Sequence, residues 1–311
     1  MEHITDKINT KTLIYGCGGG YDIYTCLYWY LKLTPEQKEK CILANYSFTK
    51  DNILTSNTFS ESSINIFRID KDIKLKDDYF PEYYLSEKLN TPIYAVSRLP
   101  NPLLETELEK FIVDNEIKQI ILADGGVDAM LHGNEMSFGS PLEDSQSVVA
   151  CTNIAKKLDI KCYLVCSALY IDDVEPHIFT SNWKVMEKNE NLECKKILIE
   201  KDGDFDFIKE IVRHPPISSI INESIISAVD GVRGKDLDNQ RLKNRIKEDN
   251  DYPDIYDDTC YLWWINCSEF VKVSKYYQEL LKLHVEPNTR SIMWSTQLNN
   301  IYASIEKVGN L

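Results

Sequence analysis

The sequence lacks the features that mark membrane, secreted and nucleic-acid-binding proteins. Its longest apolar runs, at 119–123 and 161–169, are at most half the length of a membrane span. The first ten residues contain no apolar stretch of signal-peptide length. Basic residues are few: 35 lysines and arginines face 49 acidic residues, for a net charge of −14 that repels a phosphate backbone. We therefore expect a cytoplasmic protein that binds neither membranes nor nucleic acid.

Paired cysteines are also missing. The nine cysteines are an odd number, and no two of them form a C-x-x-C motif. Disulfide scaffolds and zinc ribbons both use short, paired spacings. We interpret the cysteines as reduced residues, most of them in the core of an intracellular protein.

No linker rich in Gly, Ser or Pro interrupts the chain, and no internal repeat is visible. The composition, 43% hydrophobic and 27% charged, is that of a packed globular protein. We predict a single α/β domain over 1–311, in which 11–170 carries the motifs and the less regular 171–311 completes the same domain. The strongly charged 231–258 segment is predicted to be a helix and an acidic surface loop.

Strand and helix patterns alternate through the first half. The expected strands are Thr12–Tyr15, Lys40–Phe48, Ile64–Ile69, Lys118–Ala123 and Lys161–Leu169. The expected helices are Ile23–Leu33, Thr106–Asn115 and Ser140–Leu158. The second half predicts strands at Lys195–Glu200 and Cys260–Asn266 and helices at Phe205–Val212, Ser218–Val229 and Ser291–Lys307. This alternation predicts a three-layer α/β fold with a mainly parallel sheet and helices on both faces.

A glycine-rich turn follows the first strand and reads Gly16-x-Gly18-Gly19-Gly20-x-Asp22. Uncovered amides at a helix N-terminus form an anion site, so we assign these five residues to ligand or cofactor binding. A dinucleotide fingerprint would place its acidic residue about 20 residues further on. Asp22 instead lies where it would crowd a pyrophosphate, which disfavours a nicotinamide cofactor. Asp22 either caps the helix or faces a ligand or cation.

An acidic loop, Asp124-Gly125-Gly126-x-Asp128, follows the Lys118–Ala123 strand, and Glu135 comes shortly after it. Ligands of open parallel sheets bind outside the carboxyl ends of the strands. Carboxylates there act as general acids or bases, accept hydrogen bonds from sugar hydroxyls, or bind a hard cation. The alternative is an Asx-turn around Asp124. We expect Asp124, Asp128 and Glu135 to be catalytic, and the first two to bind a metal.

Five further residues are candidates for substrate binding: Gly125, Gly126, Ser140, Asp144 and Asn222. Gly125 and Gly126 offer backbone amides beside the acidic loop. Ser140 fits the N-cap and Glu143 the N3 position of a capping box, which leaves Asp144 free to act in the site. Thr106 and Glu109 fit a second capping box. Asn222 lies on the Ser218–Val229 helix and could reach a pocket, but it could equally be packed.

Several of these segments occur in an order that resembles a known family. They are Leu13–Asp22, the Phe80-Pro81-Glu82 step, Ile121–Glu135 (ILADGGVDAMLHGNE), Gly139–Asp144 and the Ser219–Gly231 helix. Together they resemble the family catalogued as domain of unknown function 1152, known mostly from archaeal and bacterial genomes. The resemblance spans about residues 11 to 309 and implies a Rossmann-like fold. It implies no known reaction.

Two main functions fit these observations. The first is an enzyme that hydrolyses, or transfers a group of, a small metabolite bearing phosphate or ribose. Redox chemistry is disfavoured because the chain has neither a dinucleotide fingerprint nor a redox cysteine pair, and Walker A, nucleophile-elbow and H-E-x-x-H motifs are absent too. The second is a non-catalytic nucleotide or metabolite sensor. A third hypothesis is an interaction protein that docks a basic partner through 235–258. The sequence identifies neither cofactor nor oligomeric state; a Mg²⁺-like ion is one hypothesis.

Overall fold

An eight-stranded sheet runs through the centre of the protein, which we describe from a computed structural model. The structure describes residues 2–57, 65–74, 76–137, 139–171, 174–234, 241 and 253–284. The strands, in chain order, are β1 Thr12–Gly16, β2 Cys41–Tyr46, β3 Ile66–Ile69, β4 Ile93–Val96, β5 Gln119–Ala123, β6 Lys161–Cys166, β7 Cys194–Leu198 and β8 Tyr261–Asn266. Their order across the sheet is β3-β4-β2-β1-β5-β6-β8-β7.

The five central strands, from β4 to β6, are parallel to one another. β3 pairs antiparallel with β4 at one edge. At the other edge β8 pairs antiparallel with both β6 and β7, although it follows both of them in the chain. The late strands β7 and β8 therefore belong to the same sheet as the strands that carry the glycine turn and the acidic loop.

Helices cover both faces of the sheet. They are α1 Glu2–Thr5, α2 Leu27–Tyr30, α3 Pro35–Glu39, α4 Asp51–Asn57, α5 Pro81–Leu89, α6 Asn101–Asp114, α7 Leu142–Leu158, α8 Pro176–Met186, α9 Phe205–Arg213, α10 Ile220–Val229, α11 Cys267–Val273 and α12 Lys275–His284. Short 3-10 helices span Asp22–Cys26, Asp128–Met130 and Asp257–Cys260. Alternate residues of β1 show the two layers: Leu13 packs in the same core as α6 and α7, whereas Ile14 packs in the core of α2, α9 and α10. The molecule is thus a three-layer α/β fold.

The structure confirms most of the expected strands and departs from the sequence pattern in several places. β4 was not predicted, because it is four residues long and lies between Pro92 and Pro100. The single helix predicted over Ile23–Leu33 is a 3-10 helix followed by the one-turn α2. β3 and β8 run against the parallel strands, an orientation that strand propensity does not encode. The predicted Ser291–Lys307 helix, and most of the 231–258 segment, lie outside the described residues.

Both predicted capping boxes are wrong. Helix α6 begins at Asn101, so Thr106 lies in its interior and its hydroxyl donates to the carbonyl of Pro102. Helix α7 begins at Leu142 with Pro141 at the N-cap and no side-chain cap. Ser140 therefore lies one residue too early to cap α7, and its side chain is exposed.

We expect Ser140→Ala to change the free energy of unfolding by less than about 0.5 kcal/mol, as an exposed substitution without a lost hydrogen bond does. Ser219 provides the matched comparison, because its hydroxyl oxygen accepts a hydrogen bond from the Asn222 amide at the start of α10. Ser219→Ala is expected to cost about 0.5–2 kcal/mol. Urea unfolding of both variants measures the two values. Equal losses in the two would mean that Ser140 caps its helix after all.

Within the described ranges, no helix is both long enough and apolar enough to cross a membrane.

Candidate functional site

The order of the strands reverses at β1, which makes it the switch point of the sheet. From β1 the chain proceeds outward on one side through β2 and β4, and on the other through β5 and β6. Gly16 at the end of β1 is in register with Ala123 at the end of β5. Ligands of open α/β sheets bind at such a switch point, in the crevice outside the carboxyl ends of the strands. The neighbouring strands therefore place the glycine turn and the acidic loop side by side.

Asp22 joins these two loops. Its carboxylate accepts hydrogen bonds from the amide of Gly18 (N to Oδ2, 2.6 Å) and from that of Gly125 (N to Oδ1, 3.2 Å). The amide of Gly18, one of those that the sequence suggested for a bound anion, thus binds a carboxylate of the protein itself, and Asp22 does not cap the helix that follows. Burial, followed by the negative charge of Asp124, holds the pKa of Asp22 well above its ordinary value, and the amides offset part of this effect.

Asp124 forms the Asx-turn that the sequence left as an alternative. Its two carboxylate oxygens accept hydrogen bonds from the amides of Gly126 (2.8 Å) and Ala129 (3.2 Å). The side chain is 2% exposed, and burial raises the pKa of its carboxyl group. A structural role does not exclude a second one, because a carboxylate has about four lone-pair sites and these bonds use two of them.

Asp128 and Asp144 come from two other segments, and their carboxylates lie close to those of Asp22 and Asp124. Asp128 Oδ2 accepts a hydrogen bond from the amide of Ser140 at 3.1 Å. Asp144 lies in the first turn of α7, and its Oδ1 lies 3.7 Å from the thiol of Cys17. Burial raises the pKa of Asp144 well above its ordinary value, and the charges of Asp128, Asp124 and Asp22 add to the increase.

The four aspartates converge on two overlapping sets of potential ligands. One oxygen each from Asp124, Asp128 and Asp144 lie within 4.8 Å of one another. The same holds for the sulfur of Cys17 with one oxygen each from Asp22 and Asp144. Within the part of the chain that the structure describes, Asp22, Asp124 and Asp144 form no ion pair with lysine or arginine. The four aspartates therefore place several carboxylates close together beneath the protein surface.

Three glycines make the room for these carboxylates. A Cβ atom on Gly18 would lie 2.0 Å from Asp144 Oδ1, and one on Gly125 would lie 2.7 Å from Asp22 Oδ1. A Cβ atom on Gly139 would lie 3.0 Å from Asp128 Oδ2. Gly18 and Gly125, which the sequence assigned to ligand binding, and Gly139, which it did not, therefore share a steric role: the absence of a side chain lets the carboxylates approach.

Glu135 lies in a different environment from the aspartates. Its carboxylate accepts hydrogen bonds from the amides of His132 (2.9 Å), Gly133 (2.7 Å) and Asn134 (3.1 Å), and from the side chain of Asn182. It is not among the carboxylates that converge in the described residues. These contacts anchor a loop, and the catalytic role stays a prediction that none of them supports.

The candidate substrate-binding residues have mixed positions. The amides of Gly125 and Gly126 both donate to carboxylates of the site, and Ser140 contributes its own amide to Asp128. Asn222 is fully buried beside the glycine turn, where its side-chain nitrogen donates to the carbonyl of Tyr21 at 3.5 Å. The side-chain oxygen of Asn222 is buried, and no group in the described ranges donates a hydrogen bond to it. Their roles toward a substrate stay predictions.

Sequence reasoning missed Cys17 and a buried polar group behind the glycine turn. Glu82 is fully buried and accepts hydrogen bonds from the side chains of Asn45 (2.7 Å) and Thr49 (3.0 Å). Asn45 also donates to the carbonyl of Gly20, so Glu82 and Asn45 together hold the glycine turn in position. Burial raises the pKa of Glu82. The Phe80-Pro81-Glu82 step was the signal that pointed here, and the position of Asn45 at the end of β2 was another.

Comparisons with known proteins identify no family. No family model matches the chain, and no curated protein matches it. One solved structure is similar, the crystal structure of the antimicrobial reagent A40926 pseudoaglycone deacetylase Dbv21, with 11% identity and a TM-score of 0.35. The match covers 82% of this chain and 97% of that one. A likeness this distant carries no argument about function, and the resemblance to domain of unknown function 1152 stays a prediction.

Proposed function

We propose that this protein is an enzyme that binds a divalent cation and hydrolyses, or transfers a group of, a small metabolite bearing phosphate or ribose. The proposed ligands are Asp124, Asp128 and Asp144. One observation carries the proposal: their carboxylate oxygens lie within 4.8 Å of one another, at the switch point of the sheet. The proposal includes a Rossmann-like assignment of the fold, supported by the same switch point.

The electrostatics of the site favour a cation. All three carboxylates are at least nine-tenths buried. Buried charges are costly unless they are paired or coordinate a metal. A divalent ion supplies the opposite charge, and carboxylate oxygens are the donors that Mg²⁺ and Mn²⁺ prefer. When bound, such an ion polarises a phosphoryl or carbonyl oxygen or lowers the pKa of a water molecule.

The chain's own residues would then divide the remaining work. Asp22 fixes the two loops relative to each other, because it holds one amide from each. The amide of Gly18 is already used in this way, so we assign the neutralisation of a substrate's phosphate to the cation. Carboxylate oxygens left free by the cation are suited to accept a proton or the hydrogen bonds of ribose hydroxyls.

The test is a thermal-shift titration with Mg²⁺ and Mn²⁺ after treatment with EDTA. An ion at about 100 times its dissociation constant should stabilise the protein by about 2.7 kcal/mol. Asp124→Asn is expected to abolish this response, because it removes one ligand and its charge. Asp114→Asn is the matched control, since Asp114 is exposed at the end of α6.

Absence of any shift in the wild-type protein at neutral pH would refute the proposed cation site. If cations bind, nucleotides and phosphosugars are screened with the ion present, by thermal shift and by product detection. A ligand that is bound without being converted would favour the sensor over the enzyme.

A further inference from the structure

The second set of potential ligands at the site contains a sulfur atom. The thiol of Cys17 and one oxygen each from Asp22 and Asp144 lie within 4.8 Å of one another. Cys17 directly follows β1 and is fully buried, and its thiol donates to the carbonyl of Ala123 at 3.3 Å. This set adjoins the all-oxygen set of Asp124, Asp128 and Asp144, because Asp144 belongs to both.

Asp144 gives an independent indication of a ligand. It is 5% exposed, and its hydrogen-bond donors among the described residues are its own backbone amide and the Cys17 thiol, the latter at 3.7 Å. Asp22 and Asp124 each hold two backbone amides, and Asp128 holds the amide of Ser140. A buried carboxylate that, within the described ranges, receives no amide from another segment, and that belongs to both sets of candidate ligands, is suited to bind a cation.

Asp22 is suited to the second set as well. The amides of Gly18 and Gly125 each use one lone pair of its carboxylate and leave others free. Hydrogen bonds of this kind orient the ligands of metal sites. The side chain is therefore held in position before any ion binds.

We propose that the site takes two divalent cations that share Asp144, the second of them bound by Cys17, Asp22 and Asp144. This inference rests on the proposed function, since it adds a cation to the first. Thiolate ligands favour metals such as Zn²⁺ over Mg²⁺, so the two positions differ in preference. Binding replaces the S–H bond of Cys17 by a sulfur–metal bond and releases one proton to solvent. Paired cations about 3.5–4 Å apart are typical of hydrolytic and phosphoryl-transfer sites.

The test uses Cd²⁺, a thiophilic probe, on the full chain after EDTA treatment. We expect two equivalents by calorimetry and a sulfur-to-metal charge-transfer band in the ultraviolet. Cys17→Ser should abolish the band and reduce the stoichiometry to one, while Mn²⁺ binding to the all-oxygen set is kept. Cys194→Ser is the control, because Cys194 is a half-buried cysteine on the edge strand β7. It should keep both equivalents.

The two proposals fail in different ways. One equivalent of Cd²⁺ without the band would overturn the second site and leave the first, whereas no binding at all would overturn both. A band that survives Cys17→Ser would place the thiolate elsewhere and also overturn the inference. If Cys17→Ser does not fold, Asp22→Asn is used instead. It should lose one equivalent together with the band, and two retained equivalents would count against the site.

Discussion

Gly16→Ala is expected to destabilise the protein by about 3 kcal/mol or more, at or above the upper end of the usual cost of overpacking. A Cβ atom at this position would lie 2.2 Å from Asn45 Oδ1 and 2.5 Å from the backbone nitrogen of Ile23. The side chain of Asn45 is held by Glu82 and Gly20, and the backbone of Ile23 belongs to a buried helix, so neither can retreat cheaply. Urea unfolding measures the loss.

The control for Gly16→Ala is Gly203→Ala, where an added Cβ atom would meet nothing within 4 Å. That variant should stay within about 0.5 kcal/mol of the wild-type protein. If Gly16 serves a ligand and not the packing, Gly16→Ala would keep its stability and lose only the response to cations. That result would contradict the spatial explanation.

After EDTA treatment, the free energy of unfolding is expected to fall as the pH rises from 5 to 8. The pKa values of Asp22, Asp124 and Asp144 are raised in the folded protein, chiefly by burial. A carboxyl whose folded pKa lies above its unfolded value of about 4 binds protons more tightly when folded. The stability that it contributes is complete below pH 4 and is lost as the pH rises through the folded pKa. A divalent cation should restore the loss.

The matched comparison for this pH dependence is Asp144→Asn against Asp114→Asn. Asp144→Asn removes one of the charges that repel, so its unfolding free energy should fall less steeply with pH than that of the wild-type protein. Burial lowers the pKa of His3 and of His132, and this gives stability that increases with pH around 6.5. Both variants keep His3 and His132, so the histidine contribution cancels when the unfolding free energy of one variant is subtracted from that of the other. Identical pH profiles for both would show that the aspartates do not repel one another.

The meeting of the glycine turn and the acidic loop at the carboxyl ends of β1 and β5 could be predicted from local signals, but the contacts between their residues could not. An apolar run that ends in glycines or in Asp124-Gly125-Gly126 marks the carboxyl end of a buried strand, and parallel strands bring such ends together. The partners of Asp22 depend on tertiary contact, because the amide of Gly125 is 103 residues away along the chain. Asp144 was predicted to be free through a capping box that does not form. Its place in the site follows from the bare backbone of Gly18.

The antiparallel orientation of β3 and β8 could not be predicted from the sequence, for a related reason. Strand patterns report burial and alternation, and neither differs between a parallel and an antiparallel neighbour at the end of a sheet. β8 has the apolar composition of a central strand, and burial on both faces explains it. Nothing local indicates that this strand inserts between two earlier ones.

The insertion of β8 between β6 and β7 has a consequence for synthesis on the ribosome. β6 ends at Cys166 and its outer neighbour ends at Asn266. At about 5–20 residues per second, the intervening stretch of about 100 residues takes roughly 5–20 s to appear. Throughout that interval the nascent chain can already pair β1 with β5 and β5 with β6, while the far side of β6 presents unpaired amides and carbonyls. The segment that carries the aspartates can thus fold first, and the growing polypeptide is most exposed to mispairing with a neighbouring copy just before β8 emerges.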